Sequence, residues 1–206
     1  MLPAPGVRAN SPLPVTICCW PVDAFIAGAR LPLHPFAVTV LNWFGVSPIQ
    51  LMPNAWRVIN GFVLHCQAEG IQPELNVLRT IYQLHQGNRS AYRYYLTPRH
   101  GGRLVVCPDS IKFWREKYLL VRSAEAWPIP VGWVEGVPKR VKAMPTLRPE
   151  DEDAIRALLD RPKYDWRELT EDVLYEGGLA HVNPSTLLLF TVFVFSLLPF
   201  PRLVPN

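Results

Sequence analysis

Residues 31–86 read LPLHPFAVTVLNWFGVSPIQLMPNAWRVINGFVLHCQAEGIQPELNVLRTIYQLHQ, and the fold turns on how this stretch is read. Apolar residues recur at helical spacing between proline and glycine punctuation, which predicts a compact set of helices. Pro35 suits the first helical position and Gly45 the left-handed residue after a C-terminus, with Phe36, Val40, Leu41 and Phe44 on one face between them. Ser47 with Gln50 three positions on predicts a small capping box opening a single turn. Asn54 is placed to cap the longest helix, in which Ile59, Phe62, Val63 and Cys66 form a buried stripe and Gly70 is the stop. Gly61 inside that helix costs about 1 kcal/mol relative to Ala, which points to a close helix crossing there. Pro73 opens a further helix with Leu75, Leu78, Ile81 and Tyr82 inward and Gly87 as its end.

Beyond Ser90 the period changes from helical to two. Tyr92–Leu96 and Leu104–Cys107 are short β-type runs around a Gly101-Gly102 turn, and Trp114–Arg122 reads as a third strand. The expected class is α+β: an N-terminal helical cluster followed by a small antiparallel β-meander, then short acidic helices. The expected organisation is a disordered leader over 1–22, with Val15–Trp20 able to form a short extended piece, a domain over 23–135, a proline-rich linker over 136–149, an acidic helical region over 150–178 and an apolar tail over 179–206. In the acidic region Glu150–Leu159 and Thr170–Glu176 read as helices, the former with acids in its first turn as the helix dipole favours.

The 206 residues suffice for one domain with appended segments, and 22 prolines, about twice the usual ~5% share, imply long irregular connections. Net charge is +4, unevenly spread. Arg89–Lys142 holds eleven Lys or Arg against four acids, whereas Glu150–Glu176 holds four against ten. Two readings stand: solvated surface charge, or a basic surface for nucleic acid with the acidic segment as its competitor. Lys139-Arg140-Val141-Lys142 is either a nuclear import signal or a solvated loop.

The tail run TLLLFTVFVFSLLPF (Thr186–Phe200) lies within a stretch free of Asp, Glu, Lys and Arg from Gly177 to Pro201. Fourteen residues lie between Pro184 and Pro199, about 21 Å of helix against a bilayer core of about 30 Å. Membrane association through residues 185–200 and translation into non-coding sequence are the two readings.

Chemistry-bearing patterns are missing. Cys18, Cys19, Cys66 and Cys107 form no CxxC pair and follow no export signal, so a reducing intracellular setting is expected. His34, His65, His85, His100 and His181 fall in no HExxH or HxH arrangement, and there is no P-loop, GxGxxG loop or nucleophile elbow. No enzyme, cofactor, metal or small-molecule substrate is implied. The one binding pattern is the interleaving of Tyr92, Arg93, Tyr94, Tyr95, Arg99, Arg103 and Lys112, since aromatic faces stack bases while cations meet phosphate. Tyr residues packed on a helix are the alternative reading of the same alternation.

Three segments carry a resemblance: RLPLHPF through TIYQL, then YRYYLTPR, and WREKYLLVRSAEAWPIPVGW. In this order they resemble the plant gypsy-type transposase domain of retrotransposon-derived open reading frames, over about residues 23–135. The resemblance implies an origin in a mobile element and supplies no catalytic residues. The chain also lacks an integrase carboxylate triad, a protease Asp-Thr/Ser-Gly motif and CCHC knuckle spacing. The expected function is a non-catalytic, gag-like nucleic-acid or self-association module in nucleus or cytoplasm. The alternatives are a tail-anchored membrane protein carrying the domain and a truncated element copy without selected function.

Overall fold

The computed structural model describes residues 12–87, 92–99, 101–109, 111–114, 117–136 and 143–181. Among them, in chain order, run β1 (Ile17–Pro21), α1 (Val22–Ile26), α2 (Pro35–Phe44), a 3-10 turn (Pro48–Gln50), α3 (Pro53–Ala68), α4 (Leu75–Ile81), β2 (Tyr82–Gln86), β3 (Tyr94–Pro98), β4 (Val105–Val106), β5 (Tyr118–Arg122), α5 (Pro149–Asp160), β6 (Tyr164–Asp165), a second 3-10 turn (Trp166–Glu168) and α6 (Glu171–Glu176). The α+β class therefore holds.

The helix α2 begins and ends as its sequence dictates. Pro35 sits at its start, His34 Nδ1 accepts a hydrogen bond from Phe36 N at 3.2 Å, and Gly45 closes it at φ 67. Its expected inner face is buried. The next turn departs in detail: Ser47 makes no backbone cap, and its hydroxyl donates instead to Gln50 Oε1 at 3.2 Å.

The longest helix, α3, is the axis of the molecule. Thirteen of its sixteen residues are buried, so it has no solvent face and the expected stripe is only part of what it hides. Phe62 stacks on Phe36 of α2 at 5.1 Å, and Trp56 meets Trp20 of β1 at 5.4 Å. Burying each such aromatic contributes about 1.5–3 kcal/mol relative to exposure. Polar residues on α3 act as clasps: Asn60 Nδ2 donates to Gly28 O and Gln67 Nε2 to Gly177 O, both at 2.8 Å. Asn54 does not cap α3. It lies inside the first turn, and its Nδ2 donates to Pro108 O at 2.9 Å. The close crossing at Gly61 is real, but its partner is a strand: a Cβ there would overlap the Val105 side chain.

The strands pair differently from a consecutive meander. The helix α4 stops at Ile81, not Gly87, and Tyr82–Gln86 runs on as β2 with alternating burial. It is β2 that pairs antiparallel with β3, Leu84 facing Leu96. Val105–Val106 pairs in parallel with Tyr164–Asp165, and β5 pairs antiparallel with β1, Cys19 facing Leu120. Trp114 precedes β5 and belongs to no strand. Residues 17–21, read as part of a leader, are thus a fully buried strand; residues 1–11 lie outside the described residues.

Residues 127–136 and 143–148 are irregular, as their prolines imply, yet they are strapped to the domain. Trp127 Nε1 donates to Thr16 O at 3.2 Å, Asn42 Nδ2 to Pro128 O at 2.7 Å, and Arg79 Nη2 to Ala143 O at 2.9 Å. Arg79 also lies 3.7 Å over the Trp43 ring. The short cluster 139–142 and the run Thr186–Phe200 lie outside the described residues. Among the described residues no helix is long and apolar enough to cross a membrane.

Helix α5 follows its sequence, with Asp151 accepting from Arg148 N at 2.9 Å to cap its start. The shorter α6 begins where Thr170 Oγ1 accepts from Val173 N at 3.4 Å. Arg30 pairs with Glu171 and so ties α6 to the loop after α1.

Candidate nucleic-acid interface

A cleft of about 810 Å³ opens between the start of α3, strand β3 and the chain from Arg103 to Trp114. Its walls follow from three local facts. Asn54, at the start of α3, holds the loop carbonyl of Pro108, and so fixes that loop as part of the cleft wall. Tyr82 Oη, buried beneath, accepts from Leu104 N at 2.8 Å and Val105 N at 3.4 Å, fixing β4 as the floor. Burial pushes the Tyr82 hydroxyl up to about 12, so it stays a neutral structural anchor. Val58, Leu96 and Val105 make the cleft floor apolar.

Of the seven residues in the expected binding pattern, four line this cleft: Arg93, Tyr95, Arg103 and Lys112. Arg93 lies 5.5 Å over the Trp114 ring, and Tyr95 stacks on His85 at 5.7 Å. Arg103 and Lys112 are exposed. The other three are directed elsewhere. Arg99 Nε donates to Arg79 O at 3.1 Å, and burial lowers the guanidinium from its ordinary range. Tyr92, at φ 40, offers its carbonyl to Gln50 Nε2 at 2.9 Å and does not line the cleft. Tyr94 is fully buried and belongs to the core.

Two aromatics in the cleft wall were not singled out by sequence. Phe113 is 67% exposed and holds φ 61, while Trp114 is 4% exposed. The signal was available in the tetrapeptide Ile111-Lys112-Phe113-Trp114, where a cation precedes paired aromatics, but reading Trp114 as a strand start concealed it.

The electrostatics are one-sided. Three cations face one lining acid, Asp109, and the positive end of the α3 dipole opens on the same space. Behind the wall Arg57 is 4% exposed, donates to Asn54 Oδ1 at 2.8 Å and lies 4.9 Å from the Trp166 ring centre. Cys107 lines the cleft too; burial raises its thiol despite the opposing charges of Arg57 and Arg103. No acid of the 150–176 segment lines the cleft, so its expected role as competitor finds no contact there. Among the described residues no group of three or more His, Cys, Asp or Glu could hold a metal ion.

Comparison with known proteins places the first part of the chain. Residues 17–86, from the start of β1 to the end of β2, match the family described as "Putative gypsy type transposon". That match supports derivation of this segment from a retrotransposon of the gypsy type. The cleft uses both the matched segment, through α3, and residues 93–114 beyond it. No curated protein and no solved structure matches the chain.

Proposed function

We propose that this retrotransposon-derived chain is a non-catalytic module that binds nucleic acid through the cleft between α3 and β3. The observation that carries the reading is the convergence of Arg93, Arg103 and Lys112 on one space that also presents Tyr95 and Phe113. Cations there meet phosphates, aromatic rings meet bases, and affinity follows mostly from the former. A gag-like role in packaging or self-association, acting in nucleus or cytoplasm, is the setting that suits such a module.

The test is retention of the full chain on labelled nucleic acid across a salt series, beside an Arg103→Ala, Lys112→Ala double variant. Each lost phosphate contact on a single strand lowers the slope of log affinity against log salt by about 0.7, so the variant should be flatter by about 1.4. A chain that folds but is not retained even at low salt would reduce the cleft to solvated charge.

The second reading is membrane association through residues 185–200, favoured by the uncharged stretch from Gly177 to Pro201. A reporter carrying this tail should partition with membranes; a wholly soluble reporter would sink the idea.

A further inference from the structure

The shape and lining of the cleft are more selective than its charge. Nucleic acid in duplex form offers phosphates on its outside but keeps its base faces stacked and paired, so an aromatic wall can engage a base only where the strand is open. Here the cations stand with aromatic rings over an apolar floor of Val58, Leu96 and Val105. A volume of about 810 Å³ lies in the range of sites that enclose a small ligand, roughly 300–1,000 Å³.

Phe113 adds an independent observation. A bulky residue at φ 61 is a backbone outlier, and this one holds a 67% exposed ring beside the cleft, flanked by the cation Lys112 and the buried Trp114. Its exposure leaves the Phe113 ring without the burial that repays Trp114, which is what a stacking platform awaiting a base requires.

We propose that the cleft is a single-strand site, seating an unpaired base against Phe113 and Tyr95 while Arg103 and Lys112 meet the phosphates on either side. This rests on the nucleic-acid reading above and narrows it. Duplex nucleic acid can reach the two cations but cannot use the rings.

The experiment measures fluorescence anisotropy of a short labelled oligothymidylate and of a labelled blunt duplex of equal length, at one salt concentration. The full chain is compared with Phe113→Ala and Phe113→Trp, and near-UV circular dichroism verifies that each is folded. The single strand should bind at least about tenfold more tightly than the duplex. Phe113→Ala should weaken single-strand binding by about 5- to 150-fold, the range for loss of one base stack, and leave the duplex within about twofold. Phe113→Trp should retain single-strand binding. Equal affinity for the two forms, or a Phe113→Ala variant that binds the single strand as well as the parent, overturns the single-strand site while leaving nucleic-acid binding in place. Absence of binding to either form at low salt overturns both.

Discussion

Gln50 and Val134, 84 positions apart, are joined by two hydrogen bonds: Gln50 Nε2 donates to Val134 O at 2.8 Å, and Val134 N donates to Gln50 Oε1 at 3.0 Å. The side-chain amide thus pairs with a backbone peptide as a strand residue would, and its second N–H reaches Tyr92 O. Gln50 itself is fully buried. Gln50→Ala should leave those backbone groups unpaired and cost about 2–4 kcal/mol, since each buried orphan costs about 1–3 kcal/mol and water can repair some of them. Gln50→Glu should be worse, because a carboxylate would face two carbonyls. Urea unfolding followed by Trp fluorescence measures both; a Gln50→Ala loss below about 0.5 kcal/mol would contradict the clasp.

Gly61 and Val105 are in mutual contact where α3 crosses β4. By helix propensity alone Gly61→Ala should stabilise by about 1 kcal/mol. The Val105 side chain reverses that sign, so the variant should lower the melting temperature. Val105→Ala opens the space, and in a double-mutant cycle Gly61→Ala should become neutral or stabilising in that background. Additive effects would argue against the contact.

All four cysteines are free, and three are buried. Burial raises the thiols of Cys18, Cys19 and Cys66, the latter two to about 12, and raises Cys107 as well. Since the thiolate is the reactive form, native protein near neutral pH should react slowly with a disulfide reagent. Cys107, the half-buried one, should lead, and denaturant should release all four thiols. Rapid native labelling at Cys18 or Cys66 would contradict the packing of β1 or α3.

His65 is buried against Tyr164, with ring centroids 4.5 Å apart, and its Nε2 lies 3.1 Å from Leu104 O. Burial holds its pKa below the ordinary 6.5. The unfolded chain then takes up a proton at a pH where the folded chain does not. The folded state is undiminished above about pH 6.5 and loses stability as the pH falls below it. The urea midpoint should therefore drop between about pH 7.5 and about pH 5, and His65→Gln should remove part of that drop. His34, also held low by burial, accounts for a further part.

The segment that matches the transposon family ends at Gln86, yet its strands are completed from outside it: β1 by Tyr118–Arg122 and β2 by Tyr94–Pro98. Residues 12–86 alone should show helical circular dichroism without a cooperative melt, and residues 12–181 should melt cooperatively. A sharp transition in the shorter piece would mean that the later strands are dispensable.

Much of the helical part was legible from local signals. Pro35 and Gly45 mark the ends of α2 because ring closure at one and a missing Cβ at the other suit those backbone positions, whatever surrounds them. The acids of α5 and Thr170 of α6 are equally local. The break after Ile81 was also written, since Tyr82-Gln83-Leu84-His85-Gln86 alternates, but Leu75, Leu78 and Tyr82 satisfy helical spacing too, and a short window cannot separate the periods. The cleft was half legible: residue types named Arg93, Tyr95, Arg103 and Lys112, yet the same types at Tyr92, Tyr94 and Arg99 serve the core and its clasps.

What the chain determined by itself, then, is where helices start and stop and which short runs extend. Strand partners, the strapping of the proline-rich segment and the membership of the cleft were decided by tertiary structure. A turn or cap is an interaction among residues a few positions apart, and its free energy is settled before the rest of the chain matters. Pairing Ile17–Pro21 with Tyr118–Arg122 joins backbone groups that any extended segment could supply, and the Gln50 side-chain amide could clasp any peptide group as it does that of Val134; only the shared burial around α3 selects among them.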